Sequence, residues 1–167
     1  GQVLQKSVGI KKTLQAVKCV YDDAKTQGKA VGIACGLKNT GLGNGAVEYG
    51  KARIVVDGAE HLALYHGFTE MGQGLNTVMV QFAVEATGLP ARFFEPKVNA
   101  TFVLDCGQTT GSRATLLGGR AVLDAGAKLK VDLDAGKCVA NLVGQIYEGI
   151  TVIDDTTGLG SAVDVIK

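Results

Sequence analysis

Apolar residues recur along this chain at two spacings, and the changes between them mark its elements. Ile10, Leu14, Val17, Tyr21 and Ala24 fall on one helical face, with Lys11, Lys12, Lys18, Asp22 and Lys25 on the other. Gly28 is placed to cap that helix. Ala30 to Leu37 is a short apolar run interrupted by Gly32 and Gly36, which reads as a buried strand with close backbone approach at the glycines. Glu48 to Val56 and His61 to His66 flank Asp57-Gly58-Ala59-Glu60, a strong short-range hairpin signal. Leu75, Val78, Met79, Phe82 and Ala86 return to helical spacing and end at Gly88-Leu89-Pro90, with Met79 and Phe82 expected in the core. Phe93 to Val98 reads as a strand. A third helix is expected from about Ala114 through Leu117, Ala121, Ala125 and Leu129, ending at Asp134-Ala135-Gly136. Its apolar arc is wide and rich in small residues, so it should be buried. Val139 to Tyr147 fits a short helix or a strand, and a Gly/Thr/Asp-rich tail follows. Helices alternating with strands, together with a hairpin, predict an α+β fold. The expected architecture is a mixed sheet packed against about three main helices, in a single domain over residues 1–167.

Two connections stand out from this pattern. Gly67-Phe68-Thr69-Glu70-Met71-Gly72-Gln73-Gly74-Leu75 joins a strand to a helix and carries glycines at 67, 72 and 74. Glycine lets backbone approach a ligand or take φ > 0 at little steric cost. A helix start offers unpaired N–H groups and the positive end of a dipole, the geometry of an anion site. The same residues also fit a tight turn that binds nothing. The second connection is Asp105-Cys106-Gly107-Gln108-Thr109-Thr110-Gly111-Ser112-Arg113, with good N-cap types at 109, 110 and 112. Arg113 is its informative residue. A cation in a first helical turn opposes the dipole by roughly 0.3–1 kcal/mol, and a bound anion reverses that sign through charge-assisted hydrogen bonds. The alternatives are a solvated arginine or one paired with Asp105 or Glu70. A third loop, Lys38 to Gly45, has glycines that could cradle a phosphate. It lacks the Walker pattern and fits a hairpin-like connection as well.

Composition narrows the classes. A chain of 167 residues with 46% apolar and 20% charged residues builds a globular core rather than a disordered segment. Net charge of +1 gives no argument for nucleic acid or an anionic membrane. No apolar run approaches the roughly 18 residues of a membrane span, and no signal-peptide pattern opens the chain. Four cysteines, at 19, 35, 106 and 138, include no C-x-x-C pair, which argues against zinc or iron–sulfur ligation. Cys19 and Cys35 are expected as reduced core residues of a cytoplasmic protein. His61 and His66 stand alone at strand ends and are expected to be structural or solvated. Gly1 without a methionine and the abrupt end at Val165-Ile166-Lys167 suggest a piece of a longer protein.

Thr69-Glu70-Met71-Gly72-Gln73-Gly74-Leu75, with Thr77 and Gln81, closely resembles a cofactor loop of the molybdenum hydroxylases, the family of xanthine dehydrogenase and aldehyde oxidoreductase. Thr109-Thr110-Gly111-Ser112-Arg113-Ala114, followed by Gly119-Arg120-Ala121-Val122, is similar to the next cofactor loop, in order and at compatible spacing. Gly32-Ile33-Ala34-Cys35-Gly36 and the Asp57-Gly58 hairpin match the strands before the first loop. The resemblance covers most of residues 1 to about 150, and the xanthine dehydrogenase branch, particularly its bacterial members, looks closest.

This resemblance implies a molybdenum–molybdopterin cofactor, in the cytosine dinucleotide form. It also implies hydroxylation of a purine, aldehyde or N-heterocycle with oxygen taken from water. It places Gln73 within hydrogen-bonding reach of the pterin, with Met71, Gly72 and Gly74 offering backbone. It places Ser112 and Arg113 near the pterin or its phosphate and Gly111 beside the molybdenum, and it makes Thr109 and Thr110 cofactor-binding residues of the same loop. The family's Gly-Phe-Gly-Gly, Phe-Arg-Gly and Gly-Glu-Ala/Pro-Pro loops are absent, and the last carries the catalytic glutamate. Glu70, Glu85, Glu95 and Glu148 lack that context, so no catalytic residue is expected here. Fe–S and FAD modules are expected on other domains or subunits. The expected partners are those modules, the remaining segments of the molybdenum subunit and a small-molecule substrate. The alternatives are a stand-alone phosphate- or nucleotide-binding module and a structural assembly domain.

Overall fold

The computed structural model describes residues 9–35, 41–42, 46–98 and 103–153. In order, these form α1 (Ile10–Thr26), β1 (Glu48–Gly58), β2 (His61–His66), α2 (Leu75–Thr87), β3 (Phe94–Val98), α3 (Gly119–Asp134) and β4 (Ile146–Ile153). The four strands make one sheet in the order β3-β2-β1-β4. β1 pairs antiparallel with β2 and with β4, and β2 pairs parallel with β3. The Asp57-Gly58 hairpin forms as its sequence dictates, with a register shift between Val56 and Gly58. A parallel pair needs a crossover connection, and α2 supplies it between β2 and β3. The fold class is therefore α+β with a mixed sheet, as expected.

Strand alternation decides what lies inside. Ala52, Ile54 and Val56 of β1 are buried, Ile54 opposite Leu64 and Val56 opposite Leu62. They meet Met79 and Ala83 of α2 and Val122, Ala125 and Leu129 of α3 in one core cluster. Burial of each large apolar side chain is worth about 1.5–3 kcal/mol. Two strand glycines set how closely the helical layer approaches. A Cβ at Gly50 would overlap the carbonyl of Leu117, and one at Gly149 the carbonyl of Ala121. A side chain at Gly50 would push the turn before α3 off the sheet, and one at Gly149 would push α3 itself.

α3 is preceded by one π-type turn, Ala114–Gly118, directly after the second glycine-rich connection. Such turns are rare and concentrate at functional sites. Gly88, at φ +74°, ends α2 through a bond from its N–H to the Val84 carbonyl. Residues 139–147 are divided between a 3-10 turn, Val139–Leu142, and the start of β4.

Two expectations are corrected. Residues 30–35 carry no regular structure, and Leu37 lies outside the described residues, as does Gly36. In the observed sheet β1 pairs on both sides, and no pairing partner for this run appears among the described residues. Cys19 and Cys35 are exposed, not core. α1 buries none of its described residues, so the apolar face on which Cys19 was placed finds no partner there. The tail beyond Ile153 and most of the Lys38–Gly45 loop lie outside the described residues.

Candidate functional site

The first loop follows β2 and opens α2, but its helix start is already occupied. The Glu70 carboxylate accepts hydrogen bonds from the amides of Gly72 (2.8 Å), Gly74 (3.2 Å) and Asn76 (2.9 Å). The bond from Asn76, first among these, holds the Glu70 carboxyl below the usual carboxylate range. Gly72 at φ +99° and Gly74 at φ +81° provide the curvature that turns three amides toward one side chain. Gln73 is also bound inside the loop: its Oε1 accepts from Met71 N (2.6 Å) and its Nε2 donates to the Thr69 carbonyl (2.9 Å). The expected unpaired N–H groups at 72 and 74 are thus satisfied by an internal anion. His66, buried at the end of β2, donates from Nε2 to Asn76 Oδ1 (3.1 Å), and burial lowers its pKa. His61 is the half-buried counterpart, between Asp57 and Glu95 at the hairpin end. The hydrogen bond to Asp57 raises its pKa.

The second loop is built around Arg113. That residue is 2% exposed, and each of its three side-chain nitrogens is bonded inward. Nε donates to Glu48 Oε1 at 2.6 Å, Nη2 to the Cys106 carbonyl at 2.8 Å, and Nη1 to the Gln108 carbonyl. The guanidinium also lies 5.7 Å from the centroid of the Phe68 ring. Its acidic partner is Glu48, neither Asp105 nor Glu70. Gly111 at φ +55° and Ser112 at φ +56° stand consecutively in the left-handed region. For serine this is a strained conformation of the kind that clusters at ligand sites. Among the described residues, the amides of Gly111 and Ser112 have no hydrogen-bond partner.

The two loops meet. Thr69 N donates to Thr109 Oγ1 at 2.9 Å. Both line one open cavity of about 610 Å³, the first through Met71 and Gln73 and the second through residues 109–116. Phe82, Leu116 and Leu123 give it an apolar wall, and Arg120 stands exposed at it without an ion-pair partner among the described residues. A cavity of this size, largely apolar with a few convergent donors, is the usual form of a small-molecule or cofactor site. Of the nine residues expected at the cofactor, seven line it; Gly72 and Gly74 do not. No cluster of three or more His, Cys, Asp or Glu able to hold a metal occurs among the described residues.

A family model described as the molybdopterin cofactor-binding domain matches residues 4–145. The chain belongs to that family. Xanthine dehydrogenase of Drosophila pseudoobscura pseudoobscura is 43% identical over 79 residues, 47% of this chain and 6% of that protein. The enzyme of Drosophila subobscura is 35% identical over 101 residues, 59% of this chain and 8% of that protein. The chain thus spans less than a tenth of these relatives. Among solved structures, aldehyde oxidoreductase from Desulfovibrio gigas superposes with a TM-score of 0.70 at 18% identity, covering 94% of this chain and 20% of its own. Quinoline 2-oxidoreductase from Pseudomonas putida 86 gives 0.67 at 15% identity, covering 92% and 27%. At these identities the likeness establishes the fold. Neither a stand-alone nucleotide module nor an assembly domain gains support.

The residues of the cavity fit the molybdenum cofactor that family membership implies. They offer free backbone N–H groups, the hydroxyls of Thr110 and Ser112, and one accessible cation. Sequence reasoning missed Glu48 and Arg120 as individual residues. Arg120 had a usable signal, since seven residues beyond Arg113 a helix returns near the same face. Glu48 had none, because its partner lies 65 positions away.

Proposed function

We propose that this chain is the cofactor-contacting portion of a xanthine dehydrogenase-like oxidoreductase that hydroxylates a purine, aldehyde or N-heterocycle with water-derived oxygen. One observation carries the reading: two family-type loops, in family order, are tied by the Thr69–Thr109 hydrogen bond and open on one cavity. The relatives named xanthine dehydrogenase and the solved aldehyde and quinoline oxidoreductases support the reaction class. The bound molybdenum–pterin group supplies oxygen transfer to carbon and accepts the two electrons released.

The chain's own residues bind and orient. Gly111 and Ser112 offer main-chain N–H groups, and Thr110 and Ser112 offer hydroxyls. Met71 and Gln73 close the cavity from the first loop, and Gly72 and Gly74 shape that loop from behind. Thr109 joins the loops. Arg113 contributes by holding the second loop in its curl, while Arg120 is the side chain free to meet a phosphate. Gly111 is the position we assign nearest the metal. Glu70 is committed to loop amides and supplies no base, so the catalytic base belongs to a segment outside this chain. The cytosine dinucleotide form, Fe–S and FAD modules on other domains or subunits, and a cytoplasmic setting complete the proposal.

The test is metal analysis of the full-length protein, with a dye-linked assay on purines, aldehydes and N-heterocycles. About one molybdenum per chain with turnover is expected. Full-length protein that folds without molybdenum under molybdate-replete expression would contradict the reading.

A further inference from the structure

Glu48 opens β1, yet it is 8% exposed, unusual for a carboxylate at a strand end. Its Oε1 accepts from Arg113 Nε at 2.6 Å and from Leu42 N at 3.1 Å. One oxygen thus joins the segment before β1 to the second loop. The same two segments touch again where Gly41 N donates to the Gly111 carbonyl at 2.7 Å. Arg113 relays the contact, because its other nitrogens grip the carbonyls of Cys106 and Gln108 and so fix the curl of the loop. A buried ion pair of this kind adds little net stability, since desolvation offsets attraction, and its best-attested role is to select one arrangement.

We propose that Glu48 is a positioning residue for the second cofactor loop. Through Arg113 it fixes residues 106–113, and through Leu42 N it holds the Gly41–Leu42 segment against Gly111. The unpaired amides of Gly111 and Ser112 are thereby aligned at the cavity before any ligand arrives. Preorganisation of this sort raises affinity by cutting the ordering cost of binding. The inference rests on the cofactor reading above, because the ligand it prepares for is the molybdenum–pterin group.

The test uses the full-length protein with Glu48→Gln, which keeps shape and removes charge, and Glu48→Asp, which keeps charge and shortens reach. Amide exchange is read on protein expressed without molybdate, and molybdenum release is read on loaded protein. A charge-assisted bond is about twice as strong as a neutral one. Glu48→Gln should therefore speed both exchange across 106–113 and cofactor release by about tenfold, with exchange in β2 and α2 unchanged. Glu48→Asp should fall between wild type and Glu48→Gln, and it decides the matter if Glu48→Gln does not fold. Unchanged exchange at 106–113, or equal acceleration in every element, would overturn the proposal. Wild-type protein that never holds molybdenum would instead overturn the cofactor reading, and the exchange data would still decide whether Glu48 orders the loop.

Discussion

The two loops share one cavity, but their backbone donors stand in opposite conditions. The first has filled its own anion site: Glu70 takes the amides of Gly72, Gly74 and Asn76, and Gln73 bonds within the loop. The second keeps the amides of Gly111 and Ser112 free and directs its buried Arg113 inward, to Glu48 and the loop carbonyls. A glycine-rich strand-to-helix turn is therefore not in itself an anion site. What matters is whether a nearby carboxylate already occupies the donors. The first loop acts as a prebuilt wall, and the second carries the donors.

The difference can be broken from either side. The largest effect is expected for Arg113→Ala, which leaves Glu48 buried without its partner. Removing one member of a buried pair costs about 3–5 kcal/mol, so denaturant unfolding of the purified protein should show a much lower midpoint. Gly111→Ala comes next. Its Cβ would lie 2.7 Å from the Gly41 carbonyl oxygen at φ +55°, a strain of about 1–3 kcal/mol that should reduce molybdenum content along with stability. Gln73→Ala should be milder, at about 0.5–1 kcal/mol for exposed neutral hydrogen bonds, and should loosen residues 69–73 in exchange experiments without moving the second loop.

Acidification should loosen the first loop too. Both Glu70 and His66 have folded pKa values below their ordinary ones. Each contributes stability that is present above its unfolded value and lost as pH falls through the folded one. Protection factors at residues 66–76, corrected for the intrinsic pH dependence of amide exchange, should accordingly fall as pH drops below the ordinary histidine value. They should fall again below the carboxylate range.

Much of this architecture was legible because it is local. The Asp57-Gly58 turn, the spacing of Leu75 to Ala86 and the small-residue arc of α3 each fix their own element. The loops themselves were legible as motifs. Their internal chemistry was less so. Glu70 could have been read as a self-cap, since acids are favoured at helix starts. Glu48 could not, because a long-range ion pair leaves no mark on periodicity. The apolar run from Ala30 misled for a related reason: a strand exists only where a neighbour offers hydrogen bonds, and composition does not reveal the neighbour. Cys19 misled because an amphipathic pattern marks a face without specifying what covers it.

The central claim is that both loops enclose one cofactor, and amide exchange on the full-length protein with and without molybdenum cofactor tests it most directly. Protection on loading should appear together at residues 71–74 and 109–116, most strongly at Gly111 and Ser112, with no change at the hairpin end, residues 57–60. Protection confined to one loop, or absent from both in protein that holds its metal, would contradict the account.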